Sequence, residues 1–184
     1  MMISVRHMQK EDVTAVHQIM GQQSVIDGTM RLPYAPIEYA QSRFEQTDGF
    51  VRLVAETDKN EVVGFLELMT FLKYPRHNHC AEINFVMVHE KWQNHGVGRQ
   101  LMDAVIDLAE QWMQIERLSL IVWADNHGAI HLYEQMGFEI EGTMPNYAFR
   151  NGRYINAHMM GRLKMVPVDD ALAQKQSVQL NSIW

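Results

Sequence analysis

The sequence predicts an α/β protein built on one mixed sheet with helices on both faces. Two strand-like segments, residues 50–56 and 61–71, are joined by a short polar turn, which is typical of an antiparallel hairpin. Further along the chain, strands alternate with amphipathic helices, as they do where strands pair in parallel. Residues 118–124 are almost continuously apolar, which indicates a strand covered on both faces. A chain of 184 residues can bury such a core in a single domain.

The first half of the chain is predicted to hold a strand, two helices and the strand hairpin. In order, the elements are a strand at 3–8, a helix at 11–20, a helix at 37–46 and strands at 50–56 and 61–71. The segment 21–36 is interrupted by Gly28, Pro33 and Pro36, so it is predicted as a loop or as short helical pieces.

The second half is predicted to alternate strands and helices and to end in a hairpin. The elements are a strand at 81–88, a helix running to about residue 113, a strand at 118–124, a helix ending at Gly137, a short strand at 138–141 and a hairpin of 147–150 with 153–163. Asn151 and Gly152 are the favoured pair for the tight turn of that hairpin. Residues 164–184 show weak periodicity and are predicted as a tail beyond a domain of residues 1–163. The tail either frays or docks through its apolar end on the domain or on a partner subunit.

Composition points to a cytoplasmic protein that binds neither membranes nor nucleic acid. No apolar run reaches the roughly 18 residues that a membrane-spanning helix needs. The first residues lack the charged-then-apolar pattern of a signal peptide. The single cysteine, Cys80, excludes an internal disulfide and suits a reducing compartment. The formal charge of −6 argues against nucleic acid as the main partner.

A glycine-containing turn between a strand and a helix predicts a phosphate-binding site. Gln93, Gly96 and Gly98 stand where the strand at 81–88 ends and the next helix begins. Helix N-termini carry unpaired N–H groups and a partial positive charge, so they bind phosphate well. An ATP-binding loop would need Lys followed by Ser or Thr, but Gly98 is followed by Arg99 and Gln100. The alternative that the glycines only permit a tight turn remains open.

A second pattern lies thirty residues beyond Gly96. Asn126 is followed seven residues later by Tyr133, and Gly137 precedes Phe138. These residues, together with the first turn, resemble the two signatures of the GNAT family of N-acetyltransferases, and the predicted strand order resembles that of the family. The resemblance covers residues 3–163. Residues 137–143 and 147–154, with Trp112, resemble bacterial L-amino acid N-acyltransferases, and spermidine acetyltransferases share a similar hairpin.

The resemblance implies a twisted sheet with one splayed strand pair that holds acetyl-CoA. The family transfers an acetyl group from the thioester directly to an amine, needs no metal and often forms homodimers. It assigns cosubstrate binding to these residues: Val86, Met87, Val88, Gln93, Asn94, His95, Gly96, Val97, Gly98, Arg99 and Asn126. The strand residues among them would pair with the pantetheine arm as an added strand does. For Asn126, a simple helix N-cap is the alternative.

Two residues are predicted to move protons. Tyr133 lies about two helical turns after Asn126, so both side chains face the same way, and a phenol can protonate a departing thiolate. Glu82 lies eleven residues before Gln93, a spacing that resembles the catalytic glutamate of the histone-acetylating branch. Apolar neighbours would raise the proton affinity of its carboxylate. A core tyrosine and a solvent-facing strand acid are the respective alternatives.

The substrate is predicted to be a small amine, with an L-amino acid favoured. Guanidinium groups bind carboxylates in a fork, so Arg31, Arg76 and Arg150 are candidates to hold an α-carboxylate. Met30 and Tyr34 would form one wall and His79 the mouth of the site. A polyamine substrate would instead use acids such as Glu38, Glu45 or Glu67. Protein N-terminal acetylation and a non-catalytic acyl-CoA sensor remain alternatives, and no metal site is predicted, although His77, His79 and Cys80 cluster in sequence.

Overall fold

A computed structural model describes residues 2–164, which form a seven-stranded sheet flanked by helices on both faces. The strands are β1 (Ile3–His7), β2 (Phe50–Thr57), β3 (Val62–Thr70), β4 (Cys80–Val88), β5 (Arg117–Trp123), β6 (Glu139–Arg150) and β7 (Arg153–Leu163). The helices are α1 (Val13–Met20), α2 (Gln23–Gly28), α3 (Ile37–Glu45), α4 (Val97–Asp107) and α5 (His127–Gln135), with 3-10 turns at Lys10–Asp12 and Glu90–Trp92.

The strand order is β1-β2-β3-β4-β5-β7-β6. Strands β4 and β5 pair in parallel, and all other neighbours pair antiparallel. The predicted mixed α/β fold is therefore confirmed. The interruption at 21–36 is also as expected, since it contains one short helix, α2.

Strands β4 and β5 diverge after a short paired stretch. Their pairing runs from Cys80 opposite Arg117 to Ile83 opposite Leu120, although β4 continues to Val88. Beyond Ile83, the edge of β4 that faces β5 carries no ladder partner within the described residues. The divergence opens a cleft in the middle of the sheet and confirms the splayed pair.

A β-bulge at Asn84 reverses the direction of the side chains along β4. On β3, Glu67 stands opposite Phe85 and the next residue stands opposite Ile83, so Asn84 has no counterpart. Ile83 belongs to the core under α4, whereas Phe85 and Met87 pack under α1 and α3. Without the extra residue, these three side chains would point to the same face.

Helix α4 packs very closely on the sheet. It buries Leu101, Met102 and Val105 completely. Gly64 on β3 makes this approach possible, because a Cβ there would lie 2.9 Å from the Val97 Cγ1 atom and 3.0 Å from a Leu101 methyl group. This close packing therefore fixes the position of the α4 N-terminus relative to the sheet.

Two predicted elements need correction. The helix predicted to run to about residue 113 is α-helical to Asp107 and continues as a π-turn at Leu108–Trp112. That wider turn changes the helical phase, and Trp112 at its end is 77% exposed. The separate strands predicted at 138–141 and 147–150 are one continuous strand, β6, whose register shifts twice along β7.

Strand β7 ends at Leu163, and the domain bounds of residues 1–163 stay a prediction. The tail beyond Lys164 lies outside the described residues. Within residues 2–164, no helix has both the length and the apolar character needed to cross a bilayer.

Candidate active site

A cavity of about 880 Å³ occupies the cleft between β4 and β5. Helix α2, the N-terminus of α4 and helix α5 complete its walls. It is lined by most of the predicted site residues: Met30, Glu82, Val86, Met87, Val88, Gln93, Asn94, Gly96, Val97, Gly98, Arg99, Asn126, Tyr133 and Arg150. The predicted residues outside its lining are His95, Arg31, Tyr34, Arg76 and His79.

One end of the cavity is built from backbone N–H groups at the start of α4. Gly96 caps the helix with φ of 80°, and Asn94 also has a positive φ, of 61°. The Gln100 N–H bonds back to the Gly96 carbonyl at 3.0 Å, so the N–H groups of Val97, Gly98 and Arg99 precede the helical ladder. This end of the cavity can receive an anion such as a pyrophosphate.

The Gln93 side chain connects this turn to α2 and to the end of β4 through hydrogen bonds. Its Nε2 donates to the Ser24 Oγ atom of α2 at 3.0 Å and to the Val88 carbonyl at 3.2 Å. The ring of His95 is turned back onto the Gln93 carbonyl, 2.7 Å away, and is exposed outside the cavity. Both side chains therefore shape the turn, while its backbone faces the cavity.

Arg99 reaches across the cavity to α5. Its guanidinium donates to the Gln135 side chain, and the Gln135 Nε2 lies 2.8 Å from a ring nitrogen of His131. Gln135 and His131 both line the cavity. Neither was predicted, because a polar side chain on an amphipathic helix looks the same in sequence whether it faces a cavity or solvent.

Asn126 caps α5 with one side-chain atom and presents another on the cavity side. Its Oδ1 accepts the Ala129 N–H at 3.2 Å and so caps α5. Its Nδ2 remains as a donor on the cavity side. It faces Gly28 of α2, where an added Cβ would lie 4.0 Å from this nitrogen atom. The cap and a hydrogen bond to a ligand carbonyl are therefore compatible, because they use different atoms.

Tyr133 is both a core residue and a cavity residue. It is only 9% exposed and packs against Phe138, with ring centroids 6.0 Å apart. Burial raises the pKa of the Tyr133 phenol to about 12. The phenol therefore keeps its proton at neutral pH and can donate it.

Glu82 lies on the opposite face of β4 from its buried neighbours. Ala81 and Ile83 pack into the core under α4, so the pleat directs Glu82 toward the face that carries α1 and α3. The side chain is half-buried and lines the cavity. Burial raises the pKa of this carboxyl group above its usual value, as suits a group that accepts a proton.

Arg150 lines the cavity, but its guanidinium is already bound. Nη1 donates to the Asp27 carbonyl of α2 at 3.0 Å, and Nη2 pairs with the Asp125 carboxylate. Ser24, Asp27, Asn84 and Trp123 also line the cavity and were not predicted. Ser24 and Asp27 stand in the interrupted segment before α3, where no periodicity marks a face.

The remaining predicted substrate residues are not part of the cavity lining. Tyr34 is 98% exposed. Arg76 and His79 are exposed on the loop that precedes β4, whereas the cleft opens toward the other end of that strand. Arg31 packs its guanidinium over the ring of Phe85, a residue that does line the cavity.

The acids considered for a polyamine are placed differently from one another. Glu67 is fully buried and paired with Arg43 and Arg52, so its charge is not available to a substrate. Glu38 and Glu45 are exposed on α3, outside the cavity lining. Among residues 2–164, no three His, Cys, Asp or Glu side chains come together as a metal-binding group.

Known proteins are similar to this chain in sequence. The family model described as "Acetyltransferase (GNAT) family" matches residues 15–138. The L-amino acid N-acetyltransferase AaaT of Escherichia coli K12 is 37% identical over 88% of this chain and 98% of that protein. The spermidine N(1)-acetyltransferase of the same organism is 29% identical over 86% of this chain and 84% of that protein.

Solved structures agree with the fold. Spermidine N-acetyltransferase from Vibrio cholerae, in complex with CoA and spermine, superposes with a TM-score of 0.77 at 23% identity, covering 88% of this chain and 95% of that one. Ribosomal-protein-alanine N-acetyltransferase from Brucella melitensis gives a TM-score of 0.75 at 25% identity, covering 87% and 99%. The chain belongs to the acetyltransferase (GNAT) family and is an acyltransferase enzyme.

Proposed function

We propose that the protein transfers the acetyl group of acetyl-CoA to the α-amine of an L-amino acid by direct attack. The observation that carries this proposal is the cleft between β4 and β5, where the N-terminus of α4, Glu82 and Tyr133 line the same cavity. The choice of substrate is supported by the 37% identity to a protein named as an L-amino acid N-acetyltransferase.

The residues divide the binding of acetyl-CoA between them. The N–H groups of Val97, Gly98 and Arg99 hold the pyrophosphate, and the Arg99 guanidinium adds positive charge nearby. The open edge of β4 at Val86–Val88 pairs with the amides of the pantetheine arm, as an added strand would. The Nδ2 of Asn126 donates to the same arm.

The chemical step uses one base and one acid. Glu82 accepts a proton from the ammonium group, directly or through water, so that the neutral amine nitrogen can form a bond to the thioester carbon. Tyr133 donates its phenolic proton to the sulfur as the carbon–sulfur bond breaks. As the carbon–sulfur bond breaks, the nitrogen loses its second proton, which returns the Tyr133 phenolate to its neutral form through solvent. The proton on Glu82 is released to solvent, so the products are an N-acetyl amino acid, free CoA thiol and one proton.

A polyamine is the second candidate substrate. The 29% identity to a spermidine acetyltransferase favours it, and the carboxylates of Glu82 and Asp27 line the cavity. Acetylation of a protein N-terminus uses the same chemistry on a peptide amine. A non-catalytic acyl-CoA sensor would keep the cleft without turnover.

A substrate panel separates these functions. Thiol release from acetyl-CoA is measured with twenty amino acids, with spermidine and spermine, and with short peptides. We expect amino acids to give the highest kcat/KM. Preferential turnover of polyamines or peptides would replace the proposed substrate, and CoA binding without turnover of any amine would identify a sensor.

We also propose that the protein is a cytoplasmic homodimer whose domain is residues 1–163. Strand β6 forms one edge of the sheet, and the adjoining hairpin exposes Phe149 and Tyr154 in contact with each other, each 65% exposed. The single buried cysteine is consistent with a reducing compartment. Light scattering of the purified protein tests the dimer, and cell fractionation tests the location.

A further inference from the structure

The face of the sheet that carries α3 holds an excess of positive charge beside the cavity. Glu67 is fully buried and accepts hydrogen bonds from Arg43, from Arg52 Nε at 2.8 Å and from Asn84 Nδ2 at 2.8 Å. Arg31 belongs to the same cluster, because both it and Arg43 stack on the ring of Phe85. The cluster thus contains three guanidinium groups, two of them paired with the one carboxylate, and so carries two more positive charges than negative ones.

Arg31 is the member of this cluster without a carboxylate partner. Its guanidinium carbon lies 4.4 Å from the ring centroid of Phe85 and 5.2 Å from that of Tyr39, and within residues 2–164 it forms no salt bridge. Its Nε is buried and has no hydrogen-bond partner in the described part of the chain. Burial lowers the pKa of the Arg31 guanidinium, which remains protonated at neutral pH. A half-buried, under-hydrogen-bonded cation of this kind is suited to receiving an anion.

The position of Arg31 connects it to the reacting end of the cavity. Met30, its neighbour in the chain, lines the cavity, and so does Phe85, the ring on which it stacks. The bulge at Asn84 turns Phe85 to the face that carries α1 and α3, and Glu82 points to that same face. The unpaired cation and the predicted base therefore belong to the same side of the sheet.

The two other candidates for binding a carboxylate are less suitable. Arg150 already pairs with Asp125 and donates to the Asp27 carbonyl. Arg76 stands on the exposed loop before β4, outside the cavity lining. Of the three predicted arginines, only Arg31 combines a location beside the cavity wall with a guanidinium that has no carboxylate partner among residues 2–164.

We propose that Arg31 binds the α-carboxylate of the amino acid substrate and so selects amines that carry this group. This inference rests on the proposed acetylation of amino acids. The forked edge of a guanidinium holds both oxygens of a carboxylate. Because the α-amine and the α-carboxylate share one carbon atom, anchoring the carboxylate also orients the attacking nitrogen.

The test compares an amino acid with its own primary amide, which keeps the amine and the side chain but has no negative charge. For the best substrate of the panel, kcat/KM is measured for both forms with the wild type, Arg31→Gln and the control Arg153→Gln, which alters an exposed arginine at the start of β7. We expect the wild type and the control to prefer the acid. In Arg31→Gln, kcat/KM for the acid should fall by about 10- to 100-fold, as expected for the loss of a charged hydrogen-bond pair, and kcat/KM for the amide should change by less than about twofold.

A second variant keeps the test valid if Arg31→Gln does not fold. Arg31→Met keeps an unbranched side chain on Phe85 and Tyr39. It therefore replaces Arg31→Gln in the comparison if that variant unfolds below the assay temperature. An equal loss for acid and amide, or no loss for either, would overturn the role of Arg31. Failure of the proposed function is a separate result, because it appears in the wild type as turnover of polyamines or peptides but of no amino acid.

Discussion

At the scale of single residues, Glu82 carries the clearest prediction about catalysis. Its half-buried carboxyl group has a raised pKa, and base catalysis requires its ionised form. We expect wild-type kcat/KM to rise with pH through a value above the ordinary glutamate pKa of about 4.3. Glu82→Gln should lower kcat by about 100-fold or more while the Kd for acetyl-CoA stays the same. Equal kcat values for the two proteins across the pH range would remove Glu82 from the mechanism.

The same substitution has a predicted effect on stability. A carboxyl group whose pKa is raised in the folded state disfavours folding once the pH exceeds the pKa of the unfolded chain. The neutral glutamine escapes this cost. Glu82→Gln should therefore raise Tm at pH 8, and the gain should shrink as the pH approaches 4; differential scanning fluorimetry across pH measures it.

Tyr133→Phe isolates the phenolic proton from the packing of the ring. The ring contact with Phe138 should survive, so the change in stability should be small, whereas kcat should fall because the thiolate leaves without a proton. With a pKa of about 12, Tyr133 stays neutral at ordinary pH, so the loss should be the same from pH 6 to pH 9. A variant with full kcat would show that Tyr133 serves only the core.

Gly98→Ala tests whether the glycine at this position is needed for ligand binding or for the fold. An added Cβ would meet Leu132 and Val88 at ordinary contact distances of 3.6 and 3.7 Å, and the position lies inside α4. Alanine should therefore stabilise the protein by about 0.5–1 kcal/mol, yet weaken acetyl-CoA binding because the methyl group approaches the phosphate site. Calorimetry gives both quantities, and unchanged affinity for acetyl-CoA would show that the turn does not hold the pyrophosphate.

At the scale of elements, the packing of α4 on β3 positions that turn. Gly64→Ala would place a Cβ 2.9 Å from Val97, at the first residue of α4, and should cost about 1–3 kcal/mol through overpacking. Gly142→Ala in β6 is the matched control, since a Cβ there meets nothing within 4 Å. Similar midpoints of urea unfolding for both variants would contradict the close approach of the helix.

The sequence predicts some elements better than others, for physical reasons. The site turn and α5 are marked by Gly96, Asn126 and Gly137, whose backbone preferences act locally, so their positions could be read from the residues alone. The bulge at Asn84 depends on pairing with a strand that is distant in sequence, and the single strand β6 depends on β7 as a template. Neither the bulge nor the continuity of β6 produces a local pattern in the sequence.

The same distinction applies to the candidate site. Glu82 and Tyr133 were predicted because spacing and resemblance to a family identify them, and both line the cavity. The lack of a carboxylate partner for Arg31 among residues 2–164 and the pairing of Arg150 with Asp125 depend on which side chains meet in three dimensions. Arginines that look equivalent in sequence are separated only by their surroundings.

At the scale of the whole molecule, the splayed sheet brings together what the chain keeps apart. The turn proposed to bind the pyrophosphate follows β4, the Asn126 cap follows β5, and the α3 face supplies the arginine cluster. Helix α2 joins the two sides of the cleft, because Ser24 accepts from Gln93 and the Asp27 carbonyl accepts from Arg150. A thioester bound from one side and an amine from the other would meet between the two strands.

The most direct test of this account is identification of the product. The protein is incubated with acetyl-CoA and an equimolar mixture of amino acids and spermidine, and mass spectrometry follows the acetylated products while thiol release is measured. We predict an N-acetyl amino acid formed in a one-to-one ratio with free CoA, and its near-complete loss in Glu82→Gln. Acetyl-CoA bound by the protein without any acetylated amine, or acetylspermidine as the main product, would contradict the account.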